Sequence, residues 1–85
     1  GTESKYLLEE ARRLKDEARK LKEEAKKVKE ESRKLIERID RGEDSDRELL
    51  ERLKEQNNRL LEIIERLLEI IERLLKLIEE WTRDS

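Results

Sequence analysis

The side chains that could do chemistry in this chain are carboxylates, because the sequence contains no histidine and no cysteine. It therefore offers no imidazole base, no thiolate nucleophile and no usual zinc or copper ligand set. Two pairs of glutamates three residues apart, Glu62 with Glu65 and Glu69 with Glu72, could in principle hold a hard cation. Since Arg66 stands between the two pairs, we interpret them as parts of a solvated, salt-bridged face.

The hydroxyl and aromatic side chains suggest no further site. Serine and threonine have no neighbouring base that could activate them as nucleophiles. Tyr6 and Trp81 are the only aromatic residues, and we expect Trp81 to cover the end of a hydrophobic core near Leu7. The sequence therefore predicts no enzyme, no metal site, no cofactor and no small-molecule partner.

Basic residues recur every seven positions in the first half of the chain, which raises the question of nucleic-acid binding. One column consists of Lys5, Arg12, Arg19, Lys26 and Arg33, and another of Arg13, Lys20, Lys27 and Lys34. An acidic column runs between them: Glu9, Asp16, Glu23, Glu30 and Glu37. The charges cancel locally and no aromatic residue is placed to stack on a base, so we predict no nucleic-acid partner.

The elements that position these residues are two long helices. Charged residues make up 54% of the chain, proline is absent, and apolar residues recur at helical spacing. Gly42 supplies the left-handed backbone that ends a helix, and the stretch SDRE, Ser45 to Glu48, is a capping box that begins the next. We predict helix 1 at about 3–41, a loop at about 42–45 and helix 2 at about 46–83. So short a loop makes the helices antiparallel, and the fold class is all-α, one helical hairpin over residues 1–85.

Helix 1 is a heptad repeat with a narrow apolar seam. Its first position reads Ser4, Ala11, Ala18, Ala25, Ser32 and Ile39, and its fourth reads Leu7, Leu14, Leu21, Val28 and Leu35. Two apolar positions in seven form the narrowest seam with which a helix packs, so helix 1 suits the outside of a coiled-coil bundle. On its charged face, Glu23 and Glu30 each have a lysine four residues later, in the favourable order.

Helix 2 carries twice as wide an apolar stripe, made of two seams displaced by one residue. The first seam is Leu60, Ile63, Leu67, Ile70, Leu74, Leu77 and Trp81, and the second seam is Leu61, Ile64, Leu68, Ile71, Leu75 and Ile78. At about 100° per residue, the seams lie roughly 110° apart around the helix. Helix 1 can cover one seam, and the other exceeds the few hundred Å² of apolar patch usual on a soluble monomer.

The uncovered seam could meet a lipid surface, a different protein or a second copy of the chain. A membrane-surface helix favours Lys and Arg on its polar face, whereas helix 2 alternates Glu and Arg there, so we expect no membrane partner. Self-association needs no further assumption. We predict a self-assembling scaffold whose oligomer interface comprises Leu60, Leu61, Ile63, Ile64, Leu67, Leu68, Ile70, Ile71, Leu74, Leu75, Leu77 and Ile78. The alternative is a binding module whose exposed seam takes a heterologous helix or a membrane surface.

The width of the stripe bears on the number of copies. An inner helix of a trimer touches two symmetry mates and two outer helices, and should be apolar at about five positions in seven. Helix 2 is apolar at four positions in seven. This width favours a dimeric four-helix bundle, with a trimer second and a larger ring third.

One break in the pattern predicts a buried polar layer. Gln56 and Asn57 stand where the two seams should continue with Ile or Leu, and Ser32 breaks the alanine column of helix 1. If Ile39 packs near Leu49 across the loop, Ser32 lies opposite Gln56 and Asn57. Hydroxyl and carboxamide groups can satisfy each other there and fix register and copy number, while the alternative is three independent surface residues.

These features together resemble computationally designed helical-hairpin homo-oligomers with buried hydrogen-bond networks. The resemblance rests on near-identical heptads, the Gly42 loop with its SDRE cap, and the layer of Ser32, Gln56 and Asn57. It implies concentric inner and outer helices, a scaffold function and no natural host. The chain has one clear polar layer, where several members of that class have more.

Global composition adds little about location. The net charge is −2, which attracts neither nucleic acid nor an anionic membrane. No apolar run approaches the roughly 20 residues of a membrane span, and no signal peptide is recognisable. We expect a soluble protein for which the sequence indicates no natural compartment.

Overall fold

The chain folds as two long antiparallel helices in a computed structural model that describes residues 2–42 and 46–84. Helix α1 spans Thr2–Arg41 and helix α2 spans Asp46–Asp84. They lie against each other in a rod 62 Å long and 15 by 13 Å across. The expected all-α helical hairpin is confirmed, and the described residues include no strand.

Helix α1 ends at a glycine with left-handed backbone. Gly42 has a φ of 66°, and its N–H donates a hydrogen bond of 3.0 Å to the carbonyl oxygen of Ile39. A side chain there would meet no atom within 4 Å, so a substitution would be opposed by backbone conformation rather than by lack of space. Ser45, the expected cap of α2, lies outside the described residues, and the capping box it forms with Glu48 stays a prediction.

The core is a single line of aliphatic side chains between the helices. Every member lies seven or fourteen residues from the next, about two or four helical turns. The buried residues are Leu7, Leu14, Val28 and Leu35 on α1 and Leu49, Ile63, Ile70 and Leu77 on α2. Burying one such side chain stabilises a fold by roughly 1.5–3 kcal/mol, so this line holds the helices together. Ala11 and Ala18 pack beside it.

Candidate association surface

The two seams of α2 have opposite environments. Ile63 and Ile70 of the first seam are each 2% exposed because α1 covers them. The second seam has no such cover, and its six side chains are 49% to 58% exposed. Leu50 extends this surface towards the loop with 53% exposure. An apolar strip of leucine and isoleucine, interrupted at Asn57, therefore runs along the outside of the hairpin from Leu50 to Ile78, the most conspicuous candidate for a functional surface.

The strip widens into an apolar groove at the open end of the hairpin. The groove has a volume of about 430 Å³ and is lined by Leu7, Leu8, Ala11, Leu74, Leu77, Ile78 and Trp81. Trp81 thus lies beside Leu7, but its side chain remains 51% exposed. The first seam and the second seam meet here, through Leu77 and Ile78, so core and strip form one continuous apolar region.

The opposite edge of the hairpin is closed by ion pairs between the helices. The Arg66 guanidinium donates two hydrogen bonds to the Glu17 carboxylate, of 2.5 Å from Nε and 2.8 Å from Nη2. One heptad away, Arg59 Nε donates to Glu24 Oε1 at 2.6 Å. The paired hydrogen bonds from Arg66 lower the pKa of Glu17 below its ordinary value, against the opposing effect of partial burial.

These cross-helix pairs were not foreseen from the sequence, although a signal for them exists. Glutamates recur at spacing seven along α1, at Glu10, Glu17, Glu24 and Glu31, and arginines do so along α2, at Arg59, Arg66 and Arg73. Antiparallel helices bring two such columns together along their whole length. The arginine column adjoins the first seam on α2, so matching it to the glutamate column would have indicated which seam α1 covers.

The expected polar layer divides between two faces of α2. Gln56 is half-buried and continues the buried row of Leu49 and Ile63, whereas Asn57 is exposed and continues the row of Leu50 and Ile64. The Gln56 carboxamide donates a 3.0 Å hydrogen bond to Glu31. In the described part of the chain, half-buried Ser32 and exposed Asn57 take part in no side-chain hydrogen bond. A hydrogen-bond network of all three residues stays a prediction. Asn57 lies on the uncovered strip, so its partners in such a network would belong to whatever covers that strip.

The glutamate pairs and the basic columns carry salt bridges. Glu62 binds Arg59 and Glu69 binds Arg66, each at 3.0 Å. The described residues contain no acidic cluster that could hold a metal ion.

On α1, Glu23 pairs with Lys26 at 3.3 Å and Glu30 with Arg33 at 2.5 Å. The sequence had favoured the lysines four residues after each glutamate, Lys27 for Glu23 and Lys34 for Glu30. Residues three and four positions apart are both neighbours on a helix surface, and the two kinds of ion pair differ in stabilising energy by only a few tenths of a kcal/mol.

Comparisons with known proteins return no relatives. No protein-family model, no curated protein and no solved structure matches this chain significantly. Within the described residues, neither helix has a stretch long and apolar enough to cross a membrane.

Proposed function

We propose that this chain is a self-assembling structural scaffold, in which copies associate through the second seam into a homo-oligomeric helical bundle. The observation that carries the proposal is the exposure of the second seam, 49% to 58% along six aliphatic side chains. These are the same residue types that form the buried core, repeated over about five helical turns. Exposed apolar patches of this size are typical of protein interfaces.

A second copy of the same hairpin fits this strip in shape and length. The strip runs along α2, as does the strip of any other copy, so two hairpins can pack with their long axes aligned over the roughly 42 Å from Leu50 to Ile78. Two-fold dimers are the commonest oligomers, and they bury the same patch on both copies. The dimeric four-helix bundle is the first expectation, followed by a trimer and then a larger ring.

The proposal assigns the chain no catalysis. The carboxylates nearest to a metal-binding arrangement, Glu62 and Glu69, are paired with arginines on an exposed face. The sequence has no histidine or cysteine to act as base, nucleophile or soft ligand. The extended basic columns are likewise interrupted by pairs such as Glu30 with Arg33.

Size-exclusion chromatography with light scattering tests the proposal directly. We expect one species at twice the chain mass of 10.4 kDa, fully helical by circular dichroism and unchanged in mass over a wide range of concentration. A folded helical monomer would overturn the proposal and leave a binding module for a different helix as the better interpretation.

A further inference from the structure

The uncovered strip is bordered by two rows of charge of opposite sign. On the α1 side, the basic rim consists of Lys15, Lys22 and Lys29. On the α2 side, the acidic rim consists of Glu65, Glu72 and Glu79. All six side chains are exposed, and none takes part in an ion pair within the described residues.

Helical geometry and the lining of the open-end groove place the basic rim beside the strip. Leu8 shares a heptad column with the rim lysines, and it lines the open-end groove together with Ile78 of the second seam. Seven residues are about 10.5 Å along a helix, and the two helices run in opposite directions. One heptad from Leu8 and Ile78, Lys15 is therefore level with Ile71, and the following heptad brings Lys22 level with Ile64.

The acidic rim flanks the strip on its other side. Glu65, Glu72 and Glu79 each follow a leucine of the second seam by four residues, so each is that leucine's neighbour on the helix surface. The strip therefore has lysines along one border and glutamates along the other, at matching heights.

Because the two rims carry opposite charges, they distinguish between the possible symmetries of association. If the symmetry axis runs parallel to the helices, the basic rim of one copy faces the acidic rim of the next. If a two-fold axis runs perpendicular to the helices and lies in the interface, lysines face lysines and glutamates face glutamates. Like charges across an interface are strongly unfavourable, and complementary ones set orientation.

The polar layer distinguishes between the same two arrangements. With the axis parallel to the helices, Asn57 meets the Asn57 of the neighbouring copy, and a carboxamide both donates and accepts hydrogen bonds. With the perpendicular axis and full overlap, Asn57 faces the stretch between Ile71 and Leu75 of the other copy. An aliphatic surface leaves the buried carboxamide unsatisfied.

We propose that copies of this chain assemble around an axis parallel to the helices, with Lys15 and Lys22 of each copy against Glu72 and Glu65 of the next. All loops then lie at the same end of the bundle. This inference rests on the proposed self-association, and it adds the orientation and the charged contacts that set it.

Distances between spin labels in the assembled protein test the orientation. The chain has no cysteine, so Asp40→Cys near the loop or Glu3→Cys at the open end introduces a unique labelling site. Both positions are exposed and lie about 55 Å apart along α1.

With the axis parallel to the helices, labels on Asp40→Cys lie within about 35 Å of each other, since packed helices are about 8–10 Å apart. With the perpendicular axis the same labels lie about 55 Å apart. That distance would overturn the inferred orientation but leave the proposed self-association standing. A monomeric mass would overturn both the inference and the proposed function.

Charge reversal tests the rim contacts. Lys15→Glu with Lys22→Glu should weaken association at least about tenfold at low salt, and adding Glu65→Lys and Glu72→Lys should restore it. The matched control, Lys20→Glu with Lys27→Glu, makes the same change in charge at the same spacing, away from the strip, and should leave association within about twofold. Equal weakening by the test and control pairs would overturn the rim contacts.

Discussion

Two pairs of identical neighbours on α2 show how little residue type alone says about environment. Ile63 and Ile64 follow one another, as do Ile70 and Ile71, yet the first member of each pair is 2% exposed and the second 51% or 52%. The helix turns about 100° between them, which is enough to move a side chain from the face under α1 to the uncovered face. Both faces have the composition of a core, and one hairpin can bury only one of them.

The largest effect should come from placing a charge in the second seam. In Ile71→Glu, an unpaired carboxylate would enter the proposed interface at a cost of several kcal/mol, and the assembly should dissociate. Light scattering measures the dissociation, and thermal unfolding measures the loss of stability. Glu69→Gln, two residues away on the charged face, is the control and should change stability by no more than about 0.5 kcal/mol. Unchanged mass and melting temperature in Ile71→Glu would show that the second seam is not the interface.

Truncating the two neighbours separately would sharpen the comparison. Ile70→Ala removes core packing within the hairpin and should cost about 2–5 kcal/mol at any protein concentration. Ile71→Ala should cost a similar amount only where copies are associated, and its effect should therefore disappear on dilution below the dissociation constant. Thermal melts of both variants over a dilution series provide the measurement. A concentration-independent loss in Ile71→Ala would contradict an intermolecular role for its face.

Gln56 and Asn57 interrupt the two apolar faces of α2, and the polar layer predicted for them with Ser32 should matter more for specificity than for stability. If Ser32, Gln56 and Asn57 form one network in the assembly, Asn57→Leu alone should leave the polar groups of Ser32 and Gln56 buried and unsatisfied, at about 1–3 kcal/mol each. The triple change Ser32→Ala, Gln56→Ile, Asn57→Ile removes donors and acceptors together, so it should be at least as stable as the parent. It should also populate several oligomeric states, because the remaining core is apolar along its length.

Native mass spectrometry beside thermal melting separates these outcomes. The parent should give one oligomeric species and the triple variant more than one. A triple variant that is less stable and still forms one species would show that Ser32, Gln56 and Asn57 do not act as a specificity layer.

The fold could be predicted from the sequence because its signals are repeated and local. Seven-residue spacing in both halves specifies two amphipathic helices, and Gly42 stands where the left-handed backbone is needed. The number of apolar columns also indicated that α1 would leave part of α2 uncovered, as the exposures confirm. These features follow from the periodicity of apolar positions, which does not depend on side-chain rotamers.

The details that the sequence did not yield depend on small energy differences or on matching distant columns. The partner of Glu23 is Lys26 rather than Lys27, a choice between two flexible lysines at nearly equal distance. The bond from Arg66 to Glu17 joins residues far apart in the chain, and it requires the register of the hairpin to be known. In the proposed assembly the second seam packs against another copy of the chain, and the periodicity of one helix does not specify that contact.

The smallest effect we expect concerns the closed edge of the hairpin, opposite the strip. Because hydrogen bonds from Arg66 hold the pKa of Glu17 below its ordinary value, the ionised carboxylate stabilises the folded hairpin at neutral pH. This contribution is present above the ordinary glutamate pKa, about 4.3, and is lost as the pH falls through the lowered value. Glu17→Gln should therefore lower the melting temperature slightly at about pH 7. Between about pH 5 and about pH 2, this variant should lose less stability than the parent.

Glu9→Gln is the matched control, since Glu9 is exposed and forms no ion pair within the described residues. The Glu17 effect should shrink in high salt, because the pair is partly exposed. If the two variants showed the same dependence on pH, the pair of Arg66 and Glu17 would contribute nothing to closing this edge.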